Sequence, residues 1–328
     1  MTMRNVHERV IDAPADVVGP LLEDLGQDGD RLWPSPAWVP MKLDRRVGAG
    51  ADGGHGPIRY QITEFEPGRR VRFEFHERTG VDGFHEFIVE PVGSDRCIAR
   101  HVMEIRPRGV MRLLFPLAIE SMHDAVLEDL LGNLEREATG TVTAPAVWSP
   151  WARLCWRLGE QSPVRAVAIP DAAKLMRDVY AHPDLEDAWQ VARRPGMSAD
   201  PQEWADACFR QPPPWVGALF LARNALVRLV GIAPENDAGA AFETAAATAK
   251  EVLLGSDASH LDFRASVLVD DETVTVSTVA VAHNARGRWY LSVIAPIHPI
   301  VVRGMLRRAF RLMATPRPTP RMAAARAT

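Results

Sequence analysis

Cysteine is nearly absent from this sequence. The 328 residues include three, Cys97, Cys155 and Cys208. They are odd in number, far apart and form no CxxC pair, which argues against a disulfide framework and against a cysteine-based zinc site. An excess of one charge is also missing. The formal net charge is -4, too small for a global field that would recruit nucleic acid or an acidic surface. Nor is there an uninterrupted apolar run of membrane-spanning length. The longest apolar stretch, Trp215 to Ile232, carries Arg223, Asn224 and Arg228 at its centre. A bilayer would bury those groups at high cost, so a core helix is expected there. Residues Met1 to His7 lead into an alternating pattern with no apolar signal-peptide core, and with the reduced cysteines this makes a cytoplasmic chain the expectation.

What is present is globular composition, 47% hydrophobic and 24% charged, on a chain long enough for two domains. Residues 4–11 read as a strand, and Val17, Val18, Leu21, Leu22 and Leu25 follow at helical spacing. The period then becomes two: Ile58, Tyr60 and Ile62; Val71, Phe73 and Phe75; His85, Phe87 and Val89; Cys97, Ala99, His101, Met103 and Ile105. Short strands separated by turn residues predict an antiparallel meander with one buried face. From about Arg112 to Glu137 the period returns to three and four, with Glu120, Asp124, Glu128 and Glu135 read as the wet side and Pro116 as a start or kink. A long apolar helix after such a meander is expected to lie against the sheet.

Residues 139–150 have loop composition, and 151–158 read as a short helix. In the second half a strand is expected at about 187–193 and helices at about 201–210 and 215–230. The first of these starts at Asp200-Pro201-Gln202-Glu203, a cap, a first-turn proline and a capping-box partner. Strands are expected at about 250–255, 259–269, 273–283 and 289–295, then a helix to about Met313. The end, with Pro316, Pro318 and Pro320, reads as disordered. The fold class is therefore α+β, with domains at 1–138 and 161–313, a linker and short helix at 139–160, and a tail at 314–328. Both halves run from strand through helices and meander to a final helix, so the second is expected to share the topology of the first.

The segment Glu8-Arg9-Val10-Ile11-Asp12-Ala13-Pro14-Ala15-Asp16-Val17-Val18 and the helix Glu120 to Leu130 resemble the opening and closing elements of an SRPBCC domain. This is the START, polyketide-cyclase and pollen-allergen superfamily, and the likeness spans residues 1–138. It implies a helix-grip fold, an antiparallel sheet wrapped on a long C-terminal helix, and binding of a lipid or other apolar molecule; some members are enzymes. The stretches Glu251 to Gly255, His260 to Arg264, and His283-Asn284 with Gly287 to Leu291 resemble an uncharacterised bacterial domain family found elsewhere after NAD(P)-binding domains. That likeness spans about residues 165–312 and implies no known activity.

Gly48-Ala49-Gly50-Ala51-Asp52-Gly53 spells GxGxxG, but no helix follows it to hold a pyrophosphate, so it reads as a mobile loop near the mouth of a cavity. Residues expected to line a pocket are Tyr60, Glu64, Phe73, Phe75, His85, Phe87, His101 and Met103. They place a few polar groups in an apolar stripe, the usual make-up of a small-molecule site. His85 and His101 are the candidates for acid or base chemistry. Each has a plainer reading as a hydrogen-bonded core or rim residue. His260, Asp262 and Arg264 read as a wet strand face, His283-Asn284 as a turn, and His298 as a helix-start residue. Arg303, Arg307, Arg308 and Arg311, with Arg317, Arg321 and Arg326 beyond them, make the last helix basic. Such a helix suits contact with a membrane surface, though its apolar residues are also needed as core. No metal, cofactor or nucleic-acid partner is expected. The leading expectation is non-covalent binding of an apolar small molecule or lipid, for carriage, storage or sensing. The rivals are a cyclase or dehydratase with a histidine base, and an interaction protein whose cavities are filled by its own side chains.

Overall fold

The computed structural model describes residues 2–159, 162–177, 179–219, 221 and 242–315. The chain divides into two compact units, Met1–Glu160 and Gln161–Thr328. The second half of the helix expected at 215–230 lies outside the described residues, as do Arg317, Arg321, Arg326 and the tail expected beyond 315.

In the first unit, β1 (Met3–Ile11) leads through a short helix α1 (Ala15–Val18) to β2 (Met41–Leu43), β3 (Asp52–His55), β4 (Ile58–Glu66), β5 (Arg70–Phe75), β6 (Val81–Val92) and β7 (Arg96–Pro107). These seven form one antiparallel sheet in the order β1-β7-β6-β5-β4-β3-β2. The first strand returns beside the last, so the meander runs backward across the sheet. A short helix α2 (Met111–Leu114) passes through a π-helical turn at Phe115–Ile119 into the long helix α3 (Glu120–Thr139). Pro116 sits in that wide turn, where its missing N–H interrupts the regular ladder. Ala125, Val126, Leu127, Leu130, Leu131 and Leu134 of α3 are buried, which makes α3 the lid that gives the sheet its core.

The GxGxxG segment is a turn at residues 48–51 that runs directly into a strand. Its last two residues open β3, which pairs with β2 and β4, and Ala51 within it is completely buried. The glycines are there for close backbone approach: a Cβ on Gly53 would meet the Lys42 carbonyl oxygen at 2.0 Å, and one on Gly54 would meet that of Ile58 at 1.9 Å.

Residues after α3 pack on the same unit. Trp148 donates to Asp129 (2.9 Å), and Trp156, on α4 (Pro150–Gly159), donates to the Ala37 carbonyl (2.9 Å). Trp38 shares the Asp129 carboxylate (3.2 Å) and lies 5.0 Å from the Trp148 ring. Burial, partly offset by these two indole donors, pushes the Asp129 pKa up to about 6.

The second unit contains β8 (Arg165–Val167), α5 (Lys174–Arg177), β9 (Leu185–Ala192), α6 (Pro201–Ala205), β10 (Thr244–Ala247), β11 (Glu251–Asp257), β12 (Leu261–Val269), β13 (Thr273–Ala282), α7 (Ala285–Ile294) and α8 (His298–Ala314). Its sheet order, β10-β11-β12-β13-β9-β8, again sets the early strands beside the last one. The expected tandem of antiparallel sheet plus closing helix is thus present. Asp200 caps α6 through the Gln202 N–H as its sequence implied.

One element differs. Of residues 289–295, expected as a strand, 289–294 belong to α7 and Ala295 is its C-cap. Asn284 caps α7, accepting from the Arg286 and Gly287 N–H groups at 3.1 Å, so the His283-Asn284 turn is a helix start. Gly287 is required there, because a Cβ would meet the His260 carbonyl oxygen at 1.9 Å. Asp262 pairs with His283 (2.9 Å) and Arg264 with Asp257 (2.6 Å), in line with a cross-strand polar face. In α8, Val302, Met305, Leu306, Ala309 and Phe310 are buried, and Arg303 lies 5.4 Å from the Trp189 ring centre. Most apolar residues of α8 are therefore used as core, while Ile300 is 59% exposed. No single described helix is long and apolar enough to cross a membrane, although the bent pair α7–α8 passes by length and composition.

Candidate functional site

Sheet register decides which side chains meet under α3. His101 lies opposite His7 on β1 and opposite Phe87 on β6; His85 lies opposite Met103 on β7 and Phe73 on β5; Tyr60 lies opposite Phe75. Seven of the eight residues expected in a pocket therefore share the inner face. Glu64 does not. A register shift between Ile62 and Glu64 breaks the alternation, and a bulge of this kind turns the next side chain to the other face. Glu64 is exposed and pairs with Arg70 (3.0 Å) and Arg72 (2.8 Å) on the outside. That outer face carries a shallow groove of about 540 Å³, in which Arg4, Arg72 and Arg100 are matched by Glu8, Glu86 and Glu104.

The inner face is an aromatic array centred on His85. Its ring stacks on Phe73 (4.8 Å between centres, 9° between planes) and meets Tyr60 at 4.9 Å and Phe75 at 5.0 Å. His85 Nδ1 lies 3.2 Å from His101 Nε2. His101 in turn touches Phe87 (4.8 Å) and His123 of α3 (5.2 Å). At the other end, the Tyr60 hydroxyl lies 3.2 Å from His55 Nδ1.

Burial decides the protonation of this row. Desolvation, with lesser repulsion from neighbouring imidazoles, holds His85 and His101 well below the usual imidazole pKa. It lowers His55 to about 4 and His123 to about 3, and it raises the Tyr60 phenol. All four imidazoles are neutral at pH 7. One of the two nitrogens in the His85–His101 contact must carry the proton and donate it. The outer nitrogens, His85 Nε2 and His101 Nδ1, are buried without a hydrogen-bond partner.

Accessibility separates lining residues from core. Tyr60, Phe73, His101 and Met103 are at most 1% exposed. Phe75 and His85 are only half-buried, and so are Ile119, the last residue of the π-helical turn, and His123 in the first turn of α3. Phe75 and Ile119 pack around the buried group Val81, Met103, Ile105 and Phe115. The incompletely buried residues of the inner face are therefore Phe75 and His85 on the sheet and Ile119 and His123 beside it on the helical side.

The sequence reading missed a second feature. Asp124, Glu128 and Glu135 of α3, read as its wet side, also pair with β1: Glu135 is buried, whereas the Asp124 and Glu128 side chains remain 45% and 40% exposed. His7 contacts Asp124 (Nε2 to Oδ1, 3.1 Å) and Glu128 (Nδ1 to Oε1, 2.8 Å), and Asn5 donates to Asp124 (2.9 Å). Arg9 donates to Glu135 (2.9 Å) and Glu128 (3.3 Å). Burial opposes the charge on His7, but its bonds to Asp124 and Glu128 outweigh burial and hold its pKa above the usual value. The signal was in the sequence: Asn5, His7 and Arg9 alternate with Val6, Glu8 and Val10, so one face of β1 is polar, and an inward polar face needs polar partners on α3.

Residues 3–139 match the family described as polyketide cyclase / dehydrase and lipid transport. Residues 179–305 match DUF2867, a family of unknown function. Among curated proteins, none matches the chain. Solved structures similar to the first half include norcoclaurine synthase from Thalictrum flavum (16% identity over 42% of this chain and 92% of that one, TM-score 0.34). They also include the Zhui aromatase/cyclase from Streptomyces sp. R1128 (18% identity, 43% and 100%, TM-score 0.34) and CalU16 from Micromonospora echinospora (17% identity, 48% and 83%, TM-score 0.33). The first half of the chain is thus matched to the polyketide cyclase, dehydrase and lipid-transport family, of SRPBCC type, and the second half to DUF2867.

Proposed function

We propose that the first unit binds an apolar, ring-containing small molecule non-covalently between the inner sheet face and α3. The observation that carries this reading is the incomplete burial of the strip Phe75, His85, Ile119 and His123 beside the closed aromatic floor of Tyr60, Phe73, His101 and Met103. Flat apolar surface gains about 25 cal/mol for each Å² it buries there, and the neutral imidazoles offer one or two polar contacts that orient a carbonyl or hydroxyl. The description of the matched family, cyclases, dehydrases and lipid carriers, supports an apolar ligand without choosing between carriage and chemistry.

Physical chemistry favours binding over proton abstraction in the free protein. A general base works best with a pKa near the working pH, whereas desolvation holds His85 and His101 far below it. The 3.2 Å His85–His101 contact is the feature that keeps a cyclase or dehydrase reading in play, with His101 or His85 as the base.

Two variants test the proposal against an amphiphilic aromatic fluorophore, 1-anilinonaphthalene-8-sulfonate, whose rings report on apolar surface. Ile119→Trp fills the strip and is expected to weaken binding by about tenfold or more, about 1.4 kcal/mol. Unchanged affinity in a folded Ile119→Trp protein would remove the site from this place. His101→Ala is expected to weaken binding no more than about tenfold. For an enzyme the same change would instead cost about 10²–10⁴ in turnover with binding retained.

A further inference from the structure

Beyond apolar-ligand binding, we propose that His7, His123 and Asp124 form a binding site for one divalent transition metal, between β1 and the start of α3. The ligand atoms of these three residues lie within 4.8 Å of one another. Two imidazole nitrogens and one carboxylate oxygen make a donor set suited to Zn²⁺, Co²⁺, Ni²⁺ or Fe²⁺.

Geometry around His7 argues for a cation in this spot. His7 Nδ1 lies 2.8 Å from Glu128 Oε1. A carboxylate only accepts, so Nδ1 carries the proton and donates it. In the neutral tautomer the Nε2 lone pair then faces Asp124 Oδ1 at 3.1 Å. Two acceptors at that distance repel unless positive charge sits between or beside them. A second proton on His7 supplies it in the metal-free chain, and a metal ion supplies it with more ligands.

The surroundings have the form that supports metal ligands elsewhere. A ligating histidine ordinarily donates its other N–H to a carboxylate, which fixes the ring and its tautomer, and Glu128 does this for His7. Asn5 donates to Asp124 Oδ1 at 2.9 Å and orients that carboxylate. His123 brings a buried Nδ1 with no hydrogen-bond partner. An ion with ligand bonds of about 2.0–2.1 Å holds tetrahedral ligand atoms about 3.3 Å apart. The His7–Asp124 pair, at 3.1 Å, is close to that spacing, and with all three ligand atoms within 4.8 Å of one another a bound ion requires a shift of His123 of about 1–2 Å. The ligands come from opposite ends of the domain sequence, which is why no CxxC-like or HxxH-like spacing announces them.

The test uses tag-free full-length protein, stripped with chelator and dialysed, and titrated with Co²⁺ by calorimetry and visible absorption. The expected result is saturation at one Co²⁺ per chain, displacement by Zn²⁺, and a rise in unfolding temperature with either ion. His123→Gln and Asp124→Asn are each expected to weaken Co²⁺ binding at least tenfold with the far-ultraviolet circular dichroism unchanged. His260→Gln and His283→Gln, in the second unit, are expected to leave it as it was. Absence of saturable uptake by the unaltered protein would overturn the proposal, and that arm does not depend on any variant folding. So would uptake that survives both His123→Gln and Asp124→Asn. Either result leaves the fluorophore experiments on the apolar strip standing, because they report on Ile119 and not on metal.

Discussion

Lowering the pH from 7 to 5 is expected to remove on the order of 5 kcal/mol of the first unit's unfolding free energy. Four imidazoles, His55, His85, His101 and His123, have folded pKa values below the ordinary 6.5. Such groups stay neutral in the fold, while the unfolded chain takes up protons below about pH 6.5. Stability is therefore intact above that value and falls as pH drops toward the folded pKa, by about 1.4 kcal/mol per pH unit for each group. At pH 5 each contributes a loss of about 2 kcal/mol. His101 has no exposed surface and carries the full share; the half-buried His55, His85 and His123 contribute less, through partial solvation. Two groups act in the opposite direction. Asp129, raised to about 6, and His7, also raised, bind protons more readily in the fold and stabilise it as pH falls. Four against two leaves a net loss comparable with the whole stability of an ordinary domain. Urea midpoints at pH 7 and pH 5 measure it. The double variant His85→Phe, His101→Leu removes two titrating groups while keeping apolar volume, and is expected to shrink the difference by about half. A midpoint that does not move with pH would contradict the neutral, buried state assigned to this row.

Glu135→Leu is expected to cost about 3–5 kcal/mol, the usual cost of stranding one partner of a buried ion pair. Glu135 is 4% exposed and accepts from Arg9 (2.9 Å), the Thr143 N–H (2.9 Å) and the Thr143 hydroxyl (2.5 Å). These bonds hold its carboxyl below the usual pKa in spite of burial. In the variant Arg9 keeps Glu128 and the Ala144 carbonyl, but its partly buried charge loses its shorter carboxylate contact. Thr143 loses both bonds that fix the chain after α3. Paired substitution Arg9→Met, Glu135→Leu removes both charges and is expected to recover most of the loss. Urea unfolding of the three proteins checks this. A single variant within about 0.5 kcal/mol of the parent, the range of ordinary surface changes, would show that the pair is solvated after all.

The alternating stripes of the sheet were legible because period two survives wherever one face is apolar. His85, Phe87, His101 and Met103 sit where their spacing puts them. Glu64 failed for a local reason: one bulge residue after Ile62 reverses the faces, and no composition rule marks it. The polar side of α3 failed for a more general one. Acidic residues at helical spacing look the same whether they face water or a polar strand, and only the bonds from Asn5, His7 and Arg9 to Asp124, Glu128 and Glu135 show which strand they meet. The glycines at 53 and 54 look like loop composition in one dimension, although they permit two backbones to touch. Residues 289–295 alternate enough to resemble a strand, yet Asn284 caps the helix that contains them. Ligand class lay beyond the sequence, because the residues bordering the strip come from β5, β6 and α3 and meet only when the sheet has closed on its helix.

Native mass spectrometry of the freshly purified full-length chain, followed by titration with the aromatic fluorophore, tests binding of an apolar molecule most directly. An apolar molecule retained at one per chain, or saturable uptake of the fluorophore at one per chain that Ile119→Trp weakens about tenfold or more, is the predicted result. A clean apo mass together with no saturable uptake would contradict it, and would mean that the strip between the sheet and α3 is closed by the protein's own side chains.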